Sequence, residues 1–262
     1  MLNQIKLINQ IKLINQLELK CKKLRAKTFL SFIEHGEAHL GGSFSMIECL
    51  VVIYEKIIKK NDKFILSKSH ASFPLCLLLQ DKGFSVKVTT HLEIDQSNGI
   101  HCTTGSLGHG LPISVGMALA RKKMKSKGNI FVMISDGECQ EGTTWESLLI
   151  ASKHKLNNLV IIIDYNKIQA LSKLDDALPL HNLKKKLTSF NIAVTNIKNG
   201  NSIKDIIKGF KKNEKNNDKC TAIILNTIKG KGIKSFENNP VWHARKLQGE
   251  EIKIGKKALG IK

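Results

Sequence analysis

The stretch I-F-V-M-I-S-D-G-E at residues 130–138 decides the fold of this chain. Its apolar run over Ile130–Ile134 shows no polar alternation, which is typical of a parallel strand covered on both faces. A second continuous apolar run, L-V-I-I-I at 159–163, passes directly into D-Y-N at 164–166. The residues between the two runs allow one crossover helix at 143–155. Two such strands, each ending in polar residues, predict a parallel sheet of the α/β type.

The same alternation of apolar runs and helical patterns extends along most of the chain. We predict further strands at 64–66, 192–197 and 222–225, helices at 24–35, 46–59, 72–82, 111–125 and 202–213, and a polar loop at 89–110. Ser43 or Ser45 is the expected N-cap of the helix at 46–59. The order of elements predicts an α/β domain over 24–262, with a mostly parallel twisted sheet and helices on both faces. The hexapeptide I-K-L-I-N-Q, repeated at 5–10 and 11–16, predicts a helical extension over 1–23.

Composition limits the classes of protein to which the chain can belong. It has 262 residues, of which 42% are hydrophobic and 24% charged, as is ordinary for a globular protein. The net charge of +20 would suit a polyanion partner, but the lysines are spread along the chain and no basic run carries interleaved aromatics. We therefore do not expect nucleic-acid binding. No apolar stretch approaches the length of a membrane span, and no signal peptide is recognisable, so we expect a cytoplasmic protein.

The six cysteines provide no evidence for a structural metal site or a disulfide framework. None belongs to a C-x-x-C pair, and none has zinc-ligand spacing to a histidine. They are typical of reduced thiols in a reducing compartment.

The polar residues that follow the two central runs suggest a cation site. Asp136 and Asn166 stand at the predicted carboxyl ends of neighbouring strands, where ligands bind in parallel α/β sheets. Mg²⁺ prefers a few hard oxygen ligands, often together with phosphate oxygens. Gly137 would let a phosphate approach the backbone closely. An Asp-Gly turn alone is weak evidence, but the 28 residues between Gly137 and Asn166 fit one crossover helix.

Two longer blocks around these residues resemble the thiamine-diphosphate signature of transketolases. They are S-D-G-E-C-Q-E-G-T-T-W-E-S at 135–147 and H-K-L-N-N-L-V-I-I-I-D-Y-N-K-I-Q at 154–169. The resemblance runs from about residue 24 to about residue 247 and covers the family's N-terminal, diphosphate-binding domain. It implies thiamine diphosphate and Mg²⁺ as cofactors. The metal ligands that it implies are Asp136, Asn166 and the carbonyl of Ile168.

The resemblance also implies which residues approach the cofactor. The loop G-S-L-G-H-G at 105–110 resembles a family loop that passes close to the thiazolium and the diphosphate. The residues expected near the cofactor are His70, Gly105, Ser106, Leu107, Gly137, Glu138, Glu141, Asn166 and His243. Glu146 matches a family glutamate near the subunit interface.

Four histidines occupy positions of the family's active-site histidines: His39, His70, His91 and His243. Cleaving a ketose removes a proton from a hydroxyl and later returns one, and imidazole can do both near neutral pH. The chain departs from the family pattern at Leu40, Ser69, Leu92, Ser135 and Ala244, none of which is a proposed ligand. These departures make the substrate less certain than the cofactor.

The resemblance implies a transketolase-like enzyme that moves a two-carbon ketol unit from a ketose or ketose phosphate to an aldehyde or sugar acceptor. The family's second domain supplies the glutamate that activates the cofactor, so we expect a C-terminal partner subunit in a two-plus-two heterotetramer. A specialised branched-sugar ketol transferase is one alternative. Others are a subunit of a deoxyxylulose-phosphate synthase or a keto-acid dehydrogenase, and a non-catalytic binding subunit.

Overall fold

A computed structural model describes residues 2–36, 39–213 and 218–262 of the chain. The strands are β1 (Lys63–Leu66), β2 (Ile130–Ser135), β3 (Leu159–Tyr165), β4 (Ile168–Gln169), β5 (Ser172–Lys173), β6 (Ala193–Ile197) and β7 (Thr221–Asn226). The helices are α1 (Leu2–His35), α2 (Leu40–Ser45), α3 (Ile47–Val52), α4 (Phe73–Asp81), α5 (Gly110–Lys123), α6 (Gly142–Lys153), α7 (Leu174–Ala177), α8 (Leu183–Ser189), α9 (Ile203–Asn213) and α10 (Gly249–Leu259).

The central sheet has the strand order β1-β2-β3-β7-β6, and every neighbouring pair is parallel. The two continuous apolar runs form β2 and β3, which lie side by side with Ser135 paired to Asp164. This arrangement confirms the predicted parallel α/β sheet. Strands β4 and β5 form a separate antiparallel hairpin just beyond the end of β3.

Helices cover both faces of the sheet, as predicted. Alternate residues of each central strand point to opposite faces, so Met133 and Ile162 pack with α1, α3, α4 and α9 on one side. Val132 and Ile161 pack with α5, α6 and α8 on the other side. Because both faces are apolar, the polar residues of these strands are confined to their ends.

Two sequence predictions on the first face were wrong in detail. The predicted helix at 46–59 is α3 followed by a π-helical turn at Ile53–Ile57, with α2 immediately before it. Ser43 and Ser45 do not cap α3, because both lie inside α2 and are buried. The Ser45 hydroxyl instead hydrogen-bonds to the Gly42 carbonyl and to the Asp164 carboxylate. It is therefore used in tertiary contacts and not in capping a helix.

Helix α1 continues without a break across residue 23, where the sequence predicted a boundary. In its first half Ile5, Leu7, Ile8 and Ile11 are about half exposed, whereas Leu17 is buried in the core. The division into 1–23 and 24–262 stays a prediction. Over the described ranges of the chain, no helix has both the length and the hydropathy needed to cross a membrane.

Candidate active site

Asp136 and Asn166 meet at the carboxyl edge of the sheet. The Asp136 carboxylate accepts hydrogen bonds from the backbone N–H groups of Gly137 (3.0 Å) and Lys167 (2.6 Å). The Asn166 side-chain oxygen accepts from the N–H of Ile168 at 3.1 Å. The two side chains therefore bind N–H groups only one residue apart in the same turn, and both are almost fully buried. The predicted pair of oxygen donors is brought together.

The turn whose N–H groups donate these hydrogen bonds also carries the Ile168 carbonyl. Lys167 and Ala170 have left-handed φ angles of 66° and 42°, a conformation that non-glycine residues adopt at a cost. The Ile168 carbonyl accepts from the ammonium of Lys229 at 3.3 Å. Lys229 is buried, and burial lowers its pKa to about 8, partly offset by the attraction of Asp136 and Asp164.

The oxygens of Asp136, Asn166 and Ile168 fit a hard divalent cation. A carboxylate, an amide oxygen and a carbonyl are the donor types that Mg²⁺ takes, with water and phosphate completing the shell. Among the described residues, no three His, Cys, Asp or Glu side chains lie close enough together to hold a metal ion. A cation at this edge would therefore need further ligands such as water or phosphate. The Lys229 ammonium already contacts the Ile168 carbonyl, and Asp136 acts to raise the pKa of Lys229, so positive charge is favoured beside both groups.

A second buried carboxylate, Asp164, lies beside this turn and was missed in the sequence analysis. It forms a buried ion pair with Lys68 and accepts hydrogen bonds from Ser45 (2.6 Å) and Thr227. Lys68 also donates to the Gly42 carbonyl at 2.9 Å. Burial raises the pKa of Asp164, but the charge and hydrogen bond of Lys68 outweigh it, so the pKa is lower than usual.

The two buried lysines had a signal in the sequence that was not used. Lys68 lies in the block S-K-S-H with His70, and Lys229 lies in T-I-K-G-K-G upstream of His243. From the sequence, only the two histidines were used, and the lysines were given no role. Because lysine is almost never buried without a partner, its burial at both positions requires a charged or polar group nearby.

Three of the four predicted histidines form one cluster. The ring centroids of His39 and His70 are 4.9 Å apart, and those of His39 and His243 are 5.0 Å apart. His243 contacts the Lys229 ammonium at 3.4 Å through Nδ1, which links the cluster to the turn at Ile168. The Nδ1 atom of His39 is buried and has no partner among the described residues. The cluster thus offers a ligand a free hydrogen-bonding nitrogen.

These imidazoles are neutral at physiological pH. Burial, together with neighbouring cationic groups, lowers the pKa of His39 and of His243 to about 4. The pKa of His70 is also well below its usual value, first because of burial and then because of Lys68. Neutral imidazoles can accept a proton, which an imidazolium cannot.

His91 lies on the glycine-rich loop side of the site and is exposed. Its ring packs so closely on Gly105 that a Cβ at position 105 would come within 2.6 Å of the ring. In the same loop Ser106 is exposed and Leu107 is half-buried. Gly108 has a φ of +81°, which a residue with a side chain would adopt only under strain. The His91 ring can take this position because residue 105 is a glycine.

The buried side chain of Glu138 connects the end of β1, the end of β2 and the glycine-rich loop. Its carboxylate accepts hydrogen bonds from the Ser67 hydroxyl, the Gly108 N–H (3.1 Å) and the Ser135 N–H (2.9 Å). Burial raises its pKa above the usual value, although these hydrogen bonds act in the opposite direction. It therefore fixes the glycine-rich loop against the ends of β1 and β2.

The remaining predicted residues lie around the same edge. Glu141 is exposed at the N-cap of α6, with its Cβ close to Gly108. A Cβ on Gly137 would make only ordinary contacts, at 3.6 Å from Gln169 and 3.7 Å from Ser135. Glu146 is exposed on α6. Their roles toward a cofactor or an interface stay predictions.

A parallel sheet whose carboxyl edge carries this turn and a histidine cluster defines an α/β protein with a ligand site at that edge. The family model "Transketolase, thiamine diphosphate binding domain" matches residues 21–262. The chain belongs to the transketolase family and comprises its thiamine-diphosphate-binding domain.

Relatives of two lengths match the chain. It is 32% identical to one of the subunits of the apulose-4-phosphate transketolase of Actinobacillus succinogenes, over 92% of this chain and 95% of that relative. It is also 32% identical to the 6-deoxy-6-sulfo-D-fructose transketolase subunit SqwG of a Clostridium species, over 82% and 86% of the two chains. Human transketolase is 29% identical over 86% of this chain, which spans only 39% of the human protein. Among solved structures, Campylobacter jejuni transketolase matches with a TM-score of 0.82 and 26% identity, over 94% of this chain and 43% of that one.

Proposed function

We propose that this chain is the N-terminal subunit of a split transketolase-like enzyme, which transfers a two-carbon ketol unit from a ketose or ketose phosphate to an aldehyde or sugar acceptor. One observation carries the proposal: Asp136 and Asn166 accept hydrogen bonds from the same turn. Lys229 contacts both this turn, at the Ile168 carbonyl, and His243 of the histidine cluster. The near full-length similarity to transketolase subunits supports it.

Asp136, Asn166 and the Ile168 carbonyl would hold Mg²⁺, which in turn would bind the cofactor diphosphate. Thiamine diphosphate, when bound, supplies a carbon nucleophile and an electron sink for breaking the carbon–carbon bond next to a ketose carbonyl. The chain's own residues would surround it: His70, Gly105, Ser106, Leu107, Gly137, Glu138, Glu141, Asn166 and His243. Among these, Glu138 would act by holding the loop at Gly108 in place, as its hydrogen bonds indicate.

The histidines would handle the proton of the substrate hydroxyl. Breaking the bond between the second and third carbons of a ketose turns the third-carbon hydroxyl into a carbonyl, so its proton must move to a base. His39, with a buried Nδ1 that has no partner among the described residues, is suited to accept a hydrogen from a ligand. His70 and His243 lie against it, and His91 approaches from the loop. All four are proposed as catalytic residues.

The substrate is proposed to be a sugar or a sugar phosphate, with a specialised or branched sugar as the narrower possibility. The similar subunits act, by their names, on apulose 4-phosphate and on 6-deoxy-6-sulfo-D-fructose. The net charge of +20 would attract phosphorylated substrates from solution. A keto-acid dehydrogenase or a deoxyxylulose-phosphate synthase is disfavoured, because the relatives of similar length are transketolase subunits.

The partner is proposed to be a C-terminal transketolase-like subunit that completes the site in a two-plus-two heterotetramer in the cytoplasm. The relatives of similar length are named as single subunits of transketolases, which supports a second chain.

The experiment combines the purified chain with its candidate partner and titrates thiamine diphosphate with and without Mg²⁺. We expect metal-dependent binding, ketol transfer only with both chains, and loss of both in Asp136→Ala. The exposed Asp176→Ala on α7 is the matched control and should behave as the wild type. Turnover by the isolated chain, or metal-independent binding in the mixture, would contradict the proposal.

A further inference from the structure

A cavity of about 650 Å³ lies at the edge of the sheet opposite to the candidate active site. Its wall includes the residues that begin β1 and the turn that precedes β2, whereas Asp136 and Asn166 follow the carboxyl ends of their strands. The candidate active site therefore does not account for it. Its volume lies within the range of small-molecule sites.

The wall of this cavity is strongly cationic. Among its described residues, six carry a positive charge and one, Asp62, a negative charge; the cationic residues are Lys59, Lys60, Lys63, Lys82, Arg121 and Lys127. Lys82 pairs with Glu55. Asp62 forms no ion pair with these cations among the described residues, and its two oxygens accept hydrogen bonds from the backbone N–H groups of Lys59 (2.9 Å) and Asn129 (2.7 Å).

The fold itself holds these cations together. The turn before β1 and the turn before β2 are joined by the bond from the Lys63 N–H to the Asn129 carbonyl and by Arg121, which donates to the Asn61 carbonyl at 2.7 Å. Gly128 makes the approach possible, since a Cβ there would lie 2.1 Å from the Asn61 carbonyl oxygen. Two lysine-bearing turns are thus kept side by side, with a net positive charge that would attract an anion.

The same wall contains apolar surface and an unsatisfied polar atom. Leu79 is buried, and the ring of Phe84 is 38% exposed. The Nδ1 atom of His101 is buried without a partner among the described residues. Burial, and then Lys63 and Arg121, lower the pKa of His101 to about 4, so its ring is neutral and can accept or donate a hydrogen bond.

From these features we propose that the cavity binds a phosphorylated molecule with an aromatic ring, of the nucleoside diphosphate class. The cations would contact the phosphates, and the exposed part of Phe84 would cover one face of the ring. An inorganic phosphate would leave the apolar surface uncovered, and an unphosphorylated nucleoside would leave the lysines unpaired. The site is separate from the proposed cofactor cleft, so its test does not depend on the proposed function.

The experiment measures binding of ADP, inorganic pyrophosphate and adenosine to the full chain by calorimetry at 150 mM salt, where weak surface attraction is screened. We expect ADP to bind most tightly. The double variant Lys60→Glu/Lys127→Glu should weaken ADP binding by about ten-fold or more, because both side chains are exposed in the wall. The matched control, Lys184→Glu/Lys185→Glu on α8, makes the same charge change elsewhere and should alter binding by less than about two-fold.

A third variant separates ring binding from charge. Phe84→Ala should weaken ADP about five-fold and leave pyrophosphate unchanged, because only ADP has a ring to lose contact with. Equal losses in the two charge variants, no ADP binding at millimolar concentration, or equal affinity for ADP and pyrophosphate would overturn the proposal. Displacement of ADP by thiamine diphosphate that requires Mg²⁺ and is lost in Asp136→Ala would also overturn it, since it would put ADP in the cofactor cleft.

Discussion

Asp136 and Asp164 are buried carboxylates at the ends of neighbouring strands, but they are stabilised in different ways. Asp164 has the ammonium of Lys68 as an internal counterion and the hydroxyls of Ser45 and Thr227 as donors. Its pKa is held low although burial acts to raise it. Asp136 has two backbone N–H groups. Burial, and then repulsion by Asp164, raise its pKa to about 7.

The difference indicates what each carboxylate does. A buried carboxylate that is paired with a buried lysine has a structural role, because the two charges compensate each other without a ligand. A buried carboxylate that accepts hydrogen bonds from backbone N–H groups and has only more distant lysines is less well compensated and suits an external cation. We therefore assign Asp136, together with Asn166 and the Ile168 carbonyl, to ligand binding, and Asp164 to the support of this edge.

The largest effect that would test this contrast is expected at Asp164. Asp164→Asn removes the counterion of Lys68 and should lower the free energy of unfolding by about 3–5 kcal/mol. Denaturant titration of the isolated chain measures this. The double variant Asp164→Asn/Lys68→Met removes both charges and should recover a substantial part of the loss. If the single and double variants were equally unstable, the pair would not act as an internal counterion system.

A smaller effect on folding, but a large one on binding, is expected at Asp136. Asp136→Asn keeps the size of the side chain and should change the free energy of unfolding by no more than about 1 kcal/mol. Magnesium-dependent affinity for thiamine diphosphate, measured with the partner present, should fall about 100-fold or more. Asp176→Asn serves as the exposed control. A destabilisation as large as that of Asp164→Asn would remove the distinction between the two carboxylates.

Glu138 extends the comparison to a third buried carboxylate. Among the described residues it forms no ion pair with a lysine, and its oxygens accept hydrogen bonds from a hydroxyl and two backbone N–H groups. Glu138→Gln would set a side-chain N–H₂ group against the donors of Ser67, Gly108 or Ser135. We expect a loss of about 1–3 kcal/mol in the free energy of unfolding, between the effects at Asp164 and Asp136. Thermal and denaturant unfolding of the isolated chain measure it. A loss above that of Asp164→Asn would break this order.

The effect expected at the histidine cluster differs from the others in that it depends on pH. His39 and His243 have pKa values of about 4, below the ordinary value of 6.5, so the unfolded chain binds more protons than the folded chain between these limits. Stability should therefore fall as the pH drops from 6.5 toward 4. His39→Gln/His243→Gln should reduce that slope in unfolding measurements at pH 7, 6 and 5. An unchanged slope would show that these imidazoles are not kept neutral by folding.

Much of the fold and part of the site could be predicted because their signals are local. Continuous apolar runs gave the parallel strands β2 and β3 within one or two residues at their ends. The 28-residue spacing correctly put Asp136 and Asn166 on adjacent strands. The helix at 46–59 was misjudged, because the packing of Ser45 on Asp164 and a π-helical turn at Ile53 leave no mark on periodicity.

By itself the sequence determined the parallel sheet and the polar residues at its carboxyl edge, since hydrophobic periodicity and strand ends are properties of short segments. The tertiary structure alone decided that Lys68, 96 residues away, neutralises Asp164 and that Lys229 reaches the Ile168 carbonyl. It also decided that two lysine-bearing turns share one cavity. The physical reason is that desolvation and charge compensation depend on neighbours in space, which a linear pattern does not specify.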